Sequence, residues 1–240
     1  MLRRFIVLTS FALLMVFAAA AVEAKAPTAI AYGDVVEGEI SAKITEINYT
    51  LTVAKGDTVV LDIRRSKDSE LYSPALIVQD ENGGEIVNTT EDTSATDTVT
   101  GFTANSDGDY TVIATRGKYS DTTGAFQLRP VLVKMLKSGD SIKGLANNDS
   151  ADVYYALPAD QDLKISYIQT KGDYYLRFRI KVLDPKTNAS LYASATAIDG
   201  ITWTVGLKTE ANYLTVISVG ADAYDFQHQD ISSKFSLNIE

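Results

Sequence analysis

The sequence predicts an all-β protein, with two consecutive antiparallel β-sandwich domains of jelly-roll-like type after a signal peptide. Three observations lead to this fold class. The N-terminus is an apolar segment behind basic residues, the rest of the chain alternates apolar and polar residues with a period of two, and its two halves carry the same motifs. We expect a signal peptide over 1–24, a first domain over 25–134 and a second domain over 135–240.

The N-terminal segment has the parts of a secretory signal. Arg3 and Arg4 supply positive charge, residues 5–21 are almost unbroken apolar, and small residues follow around Ala24. A permanent membrane anchor is the alternative, but a cleavable site after a run of alanines favours a signal peptide. No later segment is apolar enough to span a membrane. We therefore expect a secreted protein, extracellular or periplasmic, held together without disulfides because it has no cysteine.

Charge excludes one class of partner. The chain has 22 Lys and Arg residues against 31 Asp and Glu residues, a net charge of −9. Residues 1–24 contain two of the basic and one of the acidic residues, so the remainder carries −10. Because phosphate backbones are bound by clustered Lys and Arg, nucleic acid is not an expected partner. The sequence carries no signal for the oligomeric state.

The internal repeat appears when the second half is laid over the first. The register is constant at 106 residues through the first motifs and then drifts by a few residues, as loops of unequal length require. The matched positions are turn or core residues: Gly33 with Gly139, Gly38 with Gly144, Tyr49 with Tyr155, Asp80 with Asp184, Tyr110 with Tyr213, and Phe126 with Phe235.

Within each unit the pattern is that of strands. Residues 59–63, 110–114 and 201–205 are short runs that alternate or are rich in β-branched side chains. Between them lie turn sequences such as Gly56-Asp57 and Asn82-Gly83-Gly84, in which glycine tolerates positive φ and Asp or Asn bonds the local backbone. About eight strands per unit are expected, spaced as in an antiparallel sandwich or jelly roll. The join near 133–138 is short, so the domains should pack side by side.

The order of these features resembles the bacterial pre-peptidase C-terminal domain, a small sandwich appended to secreted peptidases. The resemblance covers nearly all of 33–240 and rests on elements that recur in order. They are the Gly-x-x-x-x-Gly elements at Gly33 to Gly38 and Gly139 to Gly144, Asp152-Val153-Tyr154, Gly56-Asp57, Gly108-Asp109-Tyr110, and the closing strands at Phe126 and Phe235. The second unit departs from the pattern where Gln161-Asp162 and Ala211-Asn212-Tyr213 replace the glycine elements.

The resemblance implies a role without catalysis. We expect a secreted interaction or adhesion module, not an enzyme, whose partner is an extracellular polysaccharide or protein. Two alternatives stay open at this point. One is a secreted hydrolase with paired carboxylates among its many acidic residues, and the other is a structural component of envelope assembly.

Direct inspection finds no catalytic motif, and we predict no catalytic, cofactor or metal residue. Without cysteine there is no thiol nucleophile or thiolate site, and the single histidine, His228, cannot build a multi-histidine zinc site. The Asp121-Thr122-Thr123-Gly124 segment has the composition of an aspartic peptidase motif with an added threonine, and its neighbours indicate a hairpin loop. Trp203 alternates with Ile201 and Val205, which places it in the core.

Two surface hypotheses remain. Asn105, Asp107 and Asp109 place oxygen atoms at alternate positions around a glycine, which suits calcium, although a tight turn has the same composition. In the strand from Tyr175 to Val182, the residues Tyr175, Arg177, Arg179 and Lys181 should share one face. That face could grip an anionic polysaccharide, be solvated, or pair with the negative charge of the first domain.

Overall fold

The protein is described here from a computed structural model, which covers residues 26–91, 96–147, 152–172, 176–187, 190–196, 200–221 and 232–240. The predicted signal peptide, Tyr175 and His228 lie outside these residues. The first nine strands are β1 (Thr28–Ile30), β2 (Val36–Ile40), β3 (Ile47–Val53), β4 (Thr58–Arg65), β5 (Pro74–Gln79), β6 (Glu85–Asn88), β7 (Asp97–Thr103), β8 (Gly108–Arg116) and β9 (Gly124–Leu132).

The next nine strands follow in the second half. They are β10 (Lys134–Met135), β11 (Ser141–Asn147), β12 (Val153–Leu157), β13 (Asp162–Lys171), β14 (Leu176–Leu183), β15 (Ser190–Thr196), β16 (Thr202–Lys208), β17 (Leu214–Ala221) and β18 (Ser232–Ile239). The described residues contain no helix, and so no helix among them is long and apolar enough to cross a membrane.

The two halves have the same topology. Sheet A (β1-β3-β8-β5-β6) and sheet B (β2-β9-β4-β7) form the first sandwich. Sheet C (β10-β12-β17-β14-β15) and sheet D (β11-β18-β13-β16) form the second, strand for strand in the same order. The predicted tandem β-sandwich is therefore confirmed. Each repeat has nine strands, one more than expected, because the short β1 and β10 add a parallel pairing to β3 and β12 that alternation over so few residues does not reveal.

Each sandwich has its own apolar core. In the first repeat β4 turns Val59, Leu61 and Ile63 inward, where they meet residues of sheet A. In the second repeat the stacked rings of Tyr167 and Phe178 are 4.8 Å apart at their centres. The predicted boundary between 134 and 135 falls inside β10 and stays a prediction.

The repeated Gly-Asp motif is a turn with the same geometry in both repeats. Gly33 and Gly139 have φ values of 88° and 91°, which residues other than glycine rarely adopt. The carboxylate of Asp34 accepts a hydrogen bond from the Ala31 N–H at 2.8 Å, and that of Asp140 accepts one from the Lys137 N–H at 3.1 Å. The motif therefore closes the turn that leads from the first to the second strand of each repeat.

The second glycine of each Gly-x-x-x-x-Gly element makes room for an aromatic ring. Gly38 on β2 lies against the ring of Phe126, and Gly144 on β11 lies against the ring of Phe235. Both rings are fully buried. A β-carbon at Gly144 would lie 2.5 Å from the Cε1 atom of Phe235, closer than van der Waals contact allows. These glycines are thus required by packing.

Replacing Gly144 with alanine should destabilise the protein by about 1–3 kcal/mol, because the added methyl group overpacks the Phe235 ring. Urea unfolding followed by circular dichroism measures the loss. Gly206 on β16 is the matched control, since it is also a strand glycine but has no atom near the position of an added β-carbon. Equal effects of Gly144→Ala and Gly206→Ala would contradict the packing argument.

The two repeats also pack against each other. A third apolar cluster joins the outer face of sheet B to the outer face of sheet C: Val60, Val99 and Val133 from one side, and Tyr154, Ala156, Leu183 and Val216 from the other. The Asn88 N–H donates to the Pro185 carbonyl at 2.7 Å across the same junction. The side-by-side packing expected from the short join is present.

Candidate functional site

The basic strand face points toward the first repeat. The alternation predicted for β14 is present, since Leu176, Phe178 and Ile180 are buried in the second core. Arg179 and Lys181 are on the opposite face of sheet C, which the first repeat covers. Only 16% of the Arg179 side chain is exposed. The bulge in the β14–β15 ladder skips Tyr192 of β15, while the β14–β17 register is continuous, so the alternation along β14 is kept.

A buried carboxylate that acts electrostatically on Lys181 of this face is Asp62 on β4, whose side chain is only 2% exposed. Arg64, two residues along the same strand, donates from Nε to Oδ1 at 2.8 Å and from Nη2 to Oδ2 at 2.6 Å. The hydroxyl of Tyr154, in the other repeat, donates to Oδ2 at 3.1 Å. Arg129 on β9 adds an ion pair at 3.6 Å.

A second carboxylate extends the cluster. Asp152, just before β12, pairs with Arg179 Nη1 at 3.3 Å, and its carbonyl accepts from Arg129 Nη2 at 2.8 Å. The guanidinium of Arg129 lies 5.7 Å from the centre of the Tyr154 ring, within cation–π range. Charges from both repeats are therefore interleaved.

The surroundings shift the acidity of three groups. Burial alone would raise the pKa of Asp62, but the hydrogen bonds and charge of Arg64, helped by Arg129 and Lys181, hold it below the ordinary aspartate value. Burial raises the pKa of Tyr154, and Asp62 raises it further. Burial lowers the pKa of Lys181 in spite of the nearby Asp152 and Asp62.

The polysaccharide hypothesis for the basic face is therefore wrong as stated. Arg179 and Lys181 have protein carboxylates as countercharges: Asp152 of the second repeat pairs with Arg179 at 3.3 Å, and Asp152, Asp62 and Asp97 act on Lys181. The alternative that the strand pairs with negative charge of the first repeat agrees with the structure for Lys181, near Asp62 and Asp97, whereas Arg179 pairs with Asp152 of its own repeat.

Of the three residues in the calcium hypothesis, Asn105 and Asp107 lie in the turn before β8, and Asp109 is the second residue of β8. Asp107 accepts from the Lys55 N–H at 2.7 Å, and Asp109 accepts from the Thr52 hydroxyl at 2.6 Å. Among the described residues no group of three acidic or histidine side chains is arranged to hold a metal ion. The structure supports the tight-turn alternative, in which these carboxylates join the turn to β3 and to the turn before β4.

Three further predicted positions can be compared with the structure. Asp121 to Thr123 form a loop as expected, but it joins β8 of sheet A to β9 of sheet B, so the predicted hairpin is wrong. Thr122 Oγ1 accepts from the Tyr72 N–H at 2.7 Å. Trp203 packs on the second core, with its ring 5.1 Å from that of Phe178. Ile201 differs from the expectation, because it is 56% exposed just before the start of β16.

A cleft of about 500 Å³ lies beside the repeat junction. The first repeat contributes the turn after β5 and the segment from Gly101 to Ser106, and the second contributes the turn after β14 and residues 211–214. Its volume is in the range of small-ligand sites. Because residues of both sandwiches line it, the cleft exists only in the tandem.

The polar groups of the cleft are neutral apart from one carboxylate. The amides of Asn105 and Asn212 are exposed at it, and neither has a side-chain hydrogen bond to another described residue. Asp80 lines it while one of its oxygens accepts from the Gly84 N–H at 2.7 Å. Among the described lining residues there is no Lys or Arg, and Asp80 is the only acidic side chain. Tyr213 adds a half-buried ring.

This arrangement can hydrogen-bond hydroxyl groups. Amides both donate and accept, which matches the mixed character of hydroxyls, and an aromatic ring offers an apolar face. Glycoside hydrolysis needs two carboxylates, and the described lining supplies one. Sequence reasoning missed this cleft because Asn105 and Asn212 are brought together only by packing of the repeats.

Comparisons with known proteins add the following. No protein-family model and no curated protein matches the chain. The pre-peptidase C-terminal domain of a collagenase from Bacillus anthracis matches 43% of this chain and 93% of that domain, at 13% identity and a TM-score of 0.36. This domain is from the family that the motifs resemble.

Two further solved structures are similar over a longer stretch. The N-terminal tandem of CBM22 domains of Xyn10C from Paenibacillus barcinonensis matches 87% of this chain and 91% of that chain, at 10% identity and a TM-score of 0.29. The catalytic domain of ZmpB from Clostridium perfringens, with its two CBM51 domains, matches 84% of this chain and 34% of that chain, at 10% identity and a TM-score of 0.26.

Proposed function

We propose that this chain is an exported, non-catalytic binding protein that takes a short stretch of a neutral, hydroxyl-rich polymer such as a polysaccharide in the cleft between its repeats. The observation that carries the proposal is the lining of that cleft, with two amides, one carboxylate, a half-buried tyrosine and no cationic side chain among its described residues. Export rests on the signal-like segment over 1–24.

The charge of the cleft selects the ligand class. A sulfated or uronic acid polymer would approach Asp80 with no described cation in the lining to compensate its charge. A neutral chain meets hydrogen-bonding amides and apolar walls instead. The ligand is therefore expected to be neutral, in contrast to the anionic polymer considered from the sequence.

Binding to a panel of neutral and anionic polysaccharides tests the proposal. We expect binding to a neutral member that changes little with added salt, because no ion pair contributes. Replacing both Asn105 and Asn212 with alanine should weaken it at least tenfold, since each lost hydrogen bond costs about 1 kcal/mol. Isothermal titration calorimetry gives the dissociation constants.

Asn48→Ala is the matched control, because Asn48 is an exposed asparagine on β3 away from the cleft. Binding confined to anionic polymers and abolished by salt would overturn the proposal. Turnover of a panel member would favour the hydrolase alternative, and neither binding nor turnover would favour a role in envelope assembly.

A further inference from the structure

Counted over the described residues, the charge cluster at the repeat junction has more cations than carboxylates. The groups that face one another there are three acids and four bases: Asp62, Asp97 and Asp152 against Arg64, Arg129, Arg179 and Lys181. The rest of the protein is strongly acidic, so this excess is local. Arg64 is partly solvated, with 42% of its side chain exposed, but only 17% of Arg129 and 16% of Arg179 are exposed, and two such poorly solvated cations favour a further negative charge between them.

Two buried hydrogen-bond donors in the same region have no partner among the residues that the structure describes. One is Nε of Arg129, and the other is Oγ of Ser218, whose residue is fully buried. Buried polar atoms in proteins nearly always have a partner, in the protein or in a bound species. Within the described part of the chain neither donor has an acceptor, so both are available to a bound species.

Both donors flank the same side chain. Ser218 on β17 is the ladder partner of Tyr154 on one side and of Arg179 on the other. Directly opposed residues of neighbouring strands point to the same face, so the Ser218 hydroxyl lies between the tyrosine and the guanidinium. Arg129 reaches the Tyr154 ring from the first repeat. The donors therefore belong to one layer between the sheets.

We propose that this layer holds a small inorganic anion, a halide such as chloride, between Ser218, Arg129 and Arg179. An anion accepts hydrogen bonds and has no donor of its own, so it satisfies both free donors and balances the excess charge. Because groups of both repeats surround it, the anion stabilises the junction of the two sandwiches.

Crystals grown in sodium bromide test the site directly. We expect an anomalous bromide peak within hydrogen-bonding distance of Ser218 Oγ. In solution, the melting temperature should rise saturably by about 5 °C when sodium gluconate is exchanged for sodium chloride at constant ionic strength, because the anion binds only the folded state. No bromide peak at this position, or the same melting temperature in both salts, would overturn the proposal.

Variants separate specific binding from a general salt effect. Ser218→Ala should move the midpoint of the chloride dependence to about tenfold higher concentration, as expected from loss of one hydrogen bond to a charged acceptor. Without halide the same variant should melt at or above the temperature of the unmodified protein, because it removes an unpartnered buried hydroxyl. Ser141→Ala, at an exposed serine on β11, should leave the chloride dependence unchanged. Equal chloride dependence in Ser218→Ala and the unmodified protein would contradict the site.

Discussion

Replacing Asp62 with alanine should destabilise the protein by about 3–5 kcal/mol, the range observed when one member of a buried ion pair is removed. The carboxylate accepts from Arg64 through both oxygens and from the Tyr154 hydroxyl. Its loss leaves the guanidinium of Arg129 without a nearby acid at 3.6 Å and adds to the excess of positive charge at the junction.

Urea unfolding measures this loss, and Asp162→Ala is its matched control. Asp162 is an aspartate at the start of β13 that is exposed to solvent, so its removal should change stability by less than about 0.5 kcal/mol. A similar small effect of Asp62→Ala would show that the cluster contributes no net stability.

The Asp62 carboxylate should also make the free energy of unfolding depend on pH in the acidic range. Its pKa is lower in the folded protein than the ordinary aspartate value of about 3.9. The stabilisation by the ionised Asp62 carboxylate is therefore fully present above the ordinary aspartate pKa, and it is lost as the pH falls through the lowered pKa of the folded protein. Between pH 5 and about 2 the unmodified protein should lose more stability than Asp62→Ala does, and parallel curves would contradict this.

Each half of the chain, expressed alone as 25–134 or 135–240, should fold but with lower stability than in the intact protein. Each half has its own core. Separation exposes the valines of the shared cluster on the first repeat, at an upper cost of about 5 kcal/mol. Differential scanning calorimetry of the halves and the intact chain compares their melting temperatures.

Substitution of two interface residues distinguishes the stability lost by exposing the interface from an artefact of cutting the chain. Val60→Thr with Val99→Thr should destabilise the intact chain, where both side chains are buried, and should have little effect on the isolated first half, where they are exposed. A half that melts at the temperature of the intact chain would show that the interface contributes nothing. A half without a cooperative melt would show that the repeats share one core.

The repeat and its strands could be predicted from the sequence because their signals are local. The alternation of Leu176, Phe178 and Ile180 is within one strand, and the Gly33-Asp34 turn is closed by a neighbour three residues away. The parallel pairing of β1 was missed since three residues are too few to show a period.

The charge cluster at the repeat junction could not be predicted, because it depends on which element packs on the outer face of sheet C. Alternation places Arg179 and Lys181 opposite the core, and a face opposite the core is solvated unless another element packs on it. Asp62 and Tyr154 are 92 residues apart, and nothing in their local sequences indicates that they meet. The cleft could not be predicted for the same reason, because Asn105 and Asn212 line one cavity only after the two sandwiches dock.

Sheets B and D have the same topology, so their outer faces can be compared as surfaces on which another repeat could pack. Sheet B joins its outer face to the dissimilar outer face of sheet C, a head-to-tail contact that an identical repeat could continue indefinitely. In the ladder positions of Val60 and Val99, sheet D instead has Lys164 and Thr204, both exposed. The second repeat therefore presents a polar face where the first repeat presents valines, and this face does not favour a further contact of the same kind.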